Sequence, residues 1–137
     1  QYQKLSEEFI REFQNKVDWY YISLYQKLSE NFIREFQNKV NWNKISYCQK
    51  LSEDFIKKFQ NKVNWKDISL YQKLSENFII EFQDKINWIN LLKKFGYKLS
   101  FSNNKYQIKS NNYCSDLLDF PELVNLTLKL ISLKLFQ

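Results

Sequence analysis

Histidine, methionine and alanine are absent from this sequence, and glycine and proline occur once each. Without histidine, the chain has no histidine general base, no Ser-His-Asp or Cys-His nucleophile and no histidine metal ligand. A single glycine excludes the usual glycine-rich loops that bind phosphates. Two isolated cysteines, Cys48 and Cys114, suggest neither a disulfide framework nor a metal cluster. We therefore predict that the protein is not an enzyme and that it has no catalytic residues, no metal site and no cofactor.

Long apolar runs and an initiator methionine are also missing. No apolar run reaches about 18 residues and no signal peptide is present, so we expect a soluble, intracellular protein with no membrane partner. Because the chain starts at Gln1 rather than at methionine, we expect a processed, trimmed or partial polypeptide whose array once continued upstream. The net charge of +6 is spread along the chain, which permits weak nucleic-acid binding without requiring it.

Internal repetition is the dominant feature of the sequence. A 23-residue unit occurs four times without a gap, at residues 2–24, 25–47, 48–70 and 71–93. Self-similarity at a fixed period is typical of arrays in which each unit packs on its neighbours. We therefore predict a helical repeat array over residues 1–95, followed by a capping or divergent C-terminal segment over residues 96–137.

The second repeat shows how each unit is expected to fold. Ser29 is a favoured N-cap residue before an apolar stripe of helical spacing, which predicts a helix over residues 30–40. Asn41 is expected to end this helix in a left-handed conformation and to begin a second helix over residues 42–50. Helices this short are unstable alone, so the stability must come from stacking. The predicted fold is mainly α, an α-solenoid of four two-helix repeats.

The pattern changes after the last repeat. Gly96 is expected to terminate the final helix. Residues 97–102 and 105–109 alternate in polarity around Asn103 and Asn104, which predicts a β-hairpin with an asparagine-rich turn. Residues 123–136 fit the periods of a strand and of a helix equally, and both alternatives stay open.

Comparison of the four copies separates fixed positions from varying ones. The fixed glutamate, phenylalanine and tryptophan positions fit helix caps and a core, whereas the pair of residues after each tryptophan varies and is predicted to face solvent. These candidate partner-binding residues are Tyr20, Tyr21, Asn43, Lys44, Lys66, Asp67, Ile89 and Asn90. Varying exposed residues on a rigid frame often determine partner choice, and neutral drift at solvated positions predicts the same pattern.

The motif YQKLSExFIxxFxxKVxWxxIS, which covers residues 2–92, resembles short helical repeats in uncharacterised proteins of AT-rich giant DNA viruses. The resemblance implies a viral protein with an α-helical array, located in the host cytoplasm or the virion. It carries no catalytic residue that could be assigned to this chain. Residues 97–137 lie outside the resemblance.

The function predicted from these features is a non-enzymatic scaffold with a protein partner. The first alternative is a nucleic-acid-binding array, in which tryptophans stack on bases and lysines contact phosphates. We rank it second because each tryptophan shares a helix face with an apolar residue, as in a core, and because the lysine and glutamate ladders alternate. The second alternative is a structural protein, whose open ends allow end-to-end self-association into a filament or a virion component.

Overall fold

The computed structural model describes residues 2–102 and 105–110. Over these residues the protein is mainly α-helical and is built from the two-helix, 23-residue repeats of an α-solenoid, as predicted. The chain forms two compact units, residues 1–72 and residues 73–137. The predicted turn at 103–104 and the ambiguous segment at 123–136 lie outside the described residues.

Helices of six or seven residues make up each repeat, and a two-stranded antiparallel sheet follows the last described helix. The helices of the first unit are α1 (Glu7–Glu12), α2 (Trp19–Tyr25), α3 (Glu30–Glu35), α4 (Trp42–Cys48), α5 (Glu53–Lys58) and α6 (Trp65–Tyr71). The elements of the second unit are α7 (Glu76–Glu81), α8 (Trp88–Lys94), β1 (Tyr97–Ser102) and β2 (Lys105–Ser110).

The helices begin at the N-cap residues that the sequence predicts. The Ser29 hydroxyl accepts the Phe32 N–H at 3.1 Å at the start of α3. The Asn41 side-chain oxygen accepts the Lys44 N–H at 3.1 Å at the start of α4. Since the first turn of a helix leaves its N–H groups without backbone partners, these side chains fix where each helix starts.

The helices end earlier than the sequence analysis predicted. Helix α3 stops at Glu35, and its C-cap Phe36 has φ −102° and ψ 28°. The Lys39 N–H then bonds to the Phe36 carbonyl at 2.8 Å, a tighter turn than that of an α-helix. The prediction that Asn41 ends the helix in a left-handed conformation is wrong, because its φ is −84°. Gly96, with φ 82°, does follow α8 in a left-handed conformation, as predicted.

Stacking of neighbouring repeats forms the core of the first unit. Helix α4 packs against both α2 and α6. The Trp19 ring lies 5.0 Å from that of Phe36, and the Trp42 ring lies 5.2 Å from that of Phe59, measured between centroids. Because both of these tryptophans contact a phenylalanine of the following repeat, burial of apolar surface depends on having a neighbour.

The second unit combines the fourth helix pair with the hairpin. Phe78 and Leu91 are buried, and α8 packs against β1. The strands pair from Tyr97 with Ser110 to Ser102 with Lys105, in the alternating segments where the hairpin was predicted. Among the residues described, no helix has both the length and the apolar character needed to cross a membrane.

Candidate functional site

A column of buried glutamines joins neighbouring repeats of the first unit. The Gln49 side chain is 6% exposed, and its oxygen accepts the Leu28 N–H at 3.0 Å. Its amide group donates to the Gln26 carbonyl at 2.7 Å and to the Ser23 carbonyl at 3.1 Å. Gln26 and Gln72 make equivalent bonds to the repeats before them. This glutamine recurs in all four copies of the repeat, but its role was not predicted from the sequence.

A second buried column consists of the serines of α2, α4 and α6. Ser46 is fully buried, and its hydroxyl donates to the Trp42 carbonyl at 2.7 Å. The same oxygen accepts the backbone N–H of Asn64, in the next repeat, at 2.9 Å. Ser23 bonds in the same way to Trp19 and Asn41. These hydroxyls therefore position the N-cap of the next even-numbered helix.

Glutamates link the odd-numbered helices of the first unit, from α1 to α3 and from α3 to α5. The Glu7 carboxylate accepts the Ser29 N–H at 2.6 Å and the Ser29 hydroxyl at 3.1 Å. Glu30 binds Ser52 in the same way. The carboxylates thus contact the N-terminus of the following helix, where the helix dipole favours negative charge. This structural role accounts for Glu7 and Glu30 without catalysis.

The tryptophans and one lysine ladder are also engaged inside the array. The Trp19 indole N–H donates to the Gln14 carbonyl at 3.0 Å. The Lys39 ammonium donates to the Gln14 side-chain oxygen at 2.8 Å and to Asn15 at 3.1 Å, and lies 5.9 Å from the Trp19 ring. Trp42 and Lys62 repeat this arrangement one unit later. Base stacking on these tryptophans would therefore have to displace contacts that hold the repeats together.

The structure distinguishes the two members of each varying pair. The first members are all exposed, namely Tyr20, Asn43, Lys66 and Ile89. The second member is exposed only in the first repeat, as Tyr21, and is half-buried in the others, as Lys44, Asp67 and Asn90. In the first unit, the first and second pairs meet, since Lys44 Nζ lies 5.1 Å from the Tyr20 ring. Asn43 accepts a hydrogen bond from the side-chain amide of Asn64, the N-cap residue of the next repeat.

Four exposed tyrosines gather at the first varying pair, and we call this group the tyrosine cluster. It consists of Tyr2, Tyr20, Tyr21 and Tyr25. The Tyr2 and Tyr25 rings stack with centroids 3.8 Å apart, and the Tyr20 and Tyr21 rings meet edge to face at 5.4 Å. A side-chain hydrogen bond between Tyr25 and Tyr2 favours the protonated form of Tyr25 and raises its pKa. Tyr2 and Tyr25 were not among the predicted partner-binding residues, because they occupy the first position of the repeat, away from the varying pair.

The described residues offer little reactive chemistry. Cys48 is exposed, but partial burial of its thiol raises its pKa, so the protonated, unreactive form is favoured. Partial burial likewise raises the pKa of Asp67. In the part of the chain that the structure describes, no three histidine, cysteine, aspartate or glutamate side chains are placed to hold a metal ion.

Comparison with known proteins gives no match to a family model, to a curated protein or to a solved structure. The resemblance to giant-virus repeats therefore stays a prediction. Function has to be argued from the surface of the repeats.

Proposed function

We propose that this protein is a non-enzymatic scaffold that binds a protein partner through the varying residues after each tryptophan. The proposal rests on the contrast between recurring residues, which bond to neighbouring repeats, and the first members of the varying pairs, which are exposed to solvent. Gln49 and Lys39, whose residue types recur in all four copies, and Ser46, whose type recurs in three, bond to neighbouring repeats. The varying residues Tyr20 and Asn43 are exposed on the frame that these contacts build. A repeat array presents such residues at regular intervals, which suits an extended partner surface.

The tyrosine cluster supports the choice of a protein as the partner. Tyr20 is 44% exposed and Tyr21 is 50% exposed. Tyrosine is enriched at protein interfaces because it offers a large contact area with few rotatable bonds and a polar hydroxyl. A shallow cavity of about 230 Å³, lined in part by Tyr2, Tyr21 and Tyr25, lies beside these rings. Aromatic side chains next to a cavity are the usual centre of an interface.

Nucleic-acid binding is not favoured by a specific observation. The Trp19 ring and Lys39 contact each other and their neighbouring repeats. Lys27 and Lys50 are exposed, but Glu30 lies close to Lys27 in the sequence, and Glu53 close to Lys50, so the local charge is mixed. A viral origin is part of the proposal and is supported by the sequence resemblance alone.

The test is affinity capture from the native cell, with captured proteins identified by mass spectrometry. The wild-type chain is compared with a variant that carries Tyr20→Ser, Tyr21→Ser and Asn43→Ser. A matched control changes three exposed, varying residues of the odd-numbered helices, Glu8, Asn31 and Asp54, to serine. We expect the first variant to lose a specific protein that the wild type and the control retain. Identical captured sets for all three chains, or no specific protein with any, would refute the proposal.

Self-association is a second candidate, favoured by one observation at the first repeat. Phe9 is 43% exposed, whereas the equivalent Phe32 and Phe55 are 0% and 2% exposed, because a preceding repeat covers them. A second copy that covered Phe9 would remove this apolar surface from water. Light scattering over a range of concentrations tests this candidate. A mass that rises with concentration in the wild type, but not in Phe9→Asp, would support it, and a constant monomer mass would exclude it.

A further inference from the structure

One ion pair distinguishes the first junction between repeats from the second. At the first junction, Arg11 Nε donates to the Glu35 carboxylate at 2.8 Å. The residues 23 positions further on, at the second junction, are Arg34 and Lys58. A carboxylate that binds arginine has therefore been replaced by a second cation.

Arg34 and Lys58 line one opening of about 460 Å³, which we call the junction groove. The other residues that line it are Gln37, Phe59, Asn61 and Lys62. Among the described residues, neither Arg34 nor Lys58 has a carboxylate within 4 Å, and Asp54, one helical turn before Lys58, forms no ion pair with it. Lys62 adds a third positive charge, although its ammonium is held by Gln37 and Asn38.

A concave site lined by charge of one sign concentrates ligands of the opposite sign. Arginine offers several N–H donors in a fixed plane that matches a carboxylate, and lysine adds a mobile charge. Like charges at neighbouring positions are unfavourable unless a counter-ion lies between them. The junction groove is therefore suited to an anionic group supplied from outside the described chain.

We propose that the junction groove binds an acidic side chain, glutamate or aspartate, of the protein partner. The chain itself identifies this occupant, because the equivalent arginine at the first junction holds the Glu35 carboxylate. An incoming carboxylate accepts N–H groups from Arg34 and Lys58 and restores the pairing of the first junction. The inference rests on the proposed protein-binding function, and it adds that the partner presents an acidic segment to this side of the repeats.

The test measures binding of a fluorescein-labelled peptide of alternating glutamate and glycine to the full chain, by fluorescence anisotropy at low salt. A peptide with glutamine in place of glutamate is the neutral control. Lys58→Glu places a carboxylate where Glu35 lies at the first junction, so it can pair with Arg34 in place of the peptide. We expect this variant to bind the peptide about tenfold more weakly. Glu35→Lys gives the first junction an arginine and a lysine, as at the second junction. We expect this variant to have an additional site for the acidic peptide.

Lys50→Glu is the control for net charge, since Lys50 is exposed, does not line the groove and undergoes the same charge reversal. We expect Lys50→Glu to weaken binding by no more than about twofold, because it changes only the long-range electrostatic attraction of the chain for the peptide. Circular dichroism and thermal melting establish that each variant keeps its fold.

Three results would overturn the inference. The first is an absence of binding by the wild-type chain, and the second is an equal loss for Lys58→Glu and Lys50→Glu, which would mean that only net charge matters. The third is tighter, Lys58-dependent binding of a single-stranded oligothymidine, which would assign the groove to phosphates. None of these results decides the scaffold proposal, which fails separately if affinity capture yields no partner that depends on the varying residues.

Discussion

Gln49 and Leu28 are joined across the junction between the second and third repeats by a buried hydrogen bond of 3.0 Å, from the Leu28 N–H to the Gln49 side chain. The same side chain donates back to the Gln26 carbonyl, so one amide satisfies both a donor and an acceptor of the preceding repeat. Buried backbone groups need such partners because water cannot reach them. The array is therefore held by polar contacts as well as by its aromatic residues.

Replacing Gln49 with leucine should destabilise the protein by at least about 2 kcal/mol, because the Leu28 N–H and the Gln26 carbonyl lose their partner in a buried place. Urea unfolding followed by tryptophan fluorescence measures the change. Gln3→Leu is the matched control, since Gln3 is the equivalent residue of the first repeat and is exposed. The control should change the free energy of unfolding by no more than about 0.5 kcal/mol. Equal effects of the two substitutions would contradict the assigned role.

Phe32→Ala and Phe9→Ala form a second matched pair. Phe32 is fully buried between repeats, and its truncation should cost about 3–5 kcal/mol in the free energy of unfolding. Phe9 occupies the same position of the first repeat but is 43% exposed, so its truncation should cost roughly half as much or less. Thermal and urea unfolding of both variants give the comparison. A larger loss for Phe9→Ala would mean that the first repeat is covered in solution.

Ser46→Ala should expose one backbone group of the next repeat to exchange. The Asn64 N–H loses its hydrogen-bond acceptor, the Ser46 hydroxyl oxygen 2.9 Å away, and becomes an unpaired donor. Hydrogen exchange followed by NMR should show faster exchange at Asn64. The Asn41 amide, held by Ser23 at 2.9 Å, is the internal control and should keep its protection. Unchanged exchange at Asn64 would show that the hydroxyl does not hold it.

Cys48 should react slowly with iodoacetamide although it is exposed. Partial burial raises the pKa of its thiol, so less thiolate is present at pH 8 than in free glutathione. The measurement uses a Cys114→Ser variant, in which Cys48 is the sole thiol, and compares its alkylation rate with that of glutathione. The rate should rise as the pH increases and should recover in urea. Alkylation faster than that of glutathione in the folded protein would contradict the raised pKa.

Sequence alone was sufficient for features that depend on local chemistry. Ser29 and Asn41 were predicted as N-caps because capping involves residues two or three positions apart. The hydrogen bonds of the Gln49 side chain were not predicted, because its partners lie 21 to 26 residues away and only the packed repeats bring them together. The end of α3 was misplaced because Phe36 leaves the helical region without a glycine or a proline to signal it.

The exposure of the varying pairs was predicted only in part, because it depends on local position for some residues and on packing between repeats for others. The exposure of Tyr20 and Asn43 follows from their position on one short helix. The partial burial of Lys44 and Asp67 depends on the neighbouring even-numbered helices, which pack beside them. The contrast between Arg11–Glu35 and Arg34–Lys58 was visible in the sequence, but its meaning required the ion pair at the first junction.

We propose that the fixed residues build the array and that the exposed first members of the varying pairs contribute to recognition rather than to stability. The free energies of unfolding of two variants test it most directly. The first variant replaces the exposed first members of the varying pairs, Tyr20, Asn43, Lys66 and Ile89, with alanine. The second variant replaces the buried glutamines Gln26, Gln49 and Gln72 with leucine. The account predicts a change within about 2 kcal/mol for the first variant and loss of cooperative unfolding in the first unit for the second. A strongly destabilised first variant, or a second variant as stable as the wild type, would contradict it.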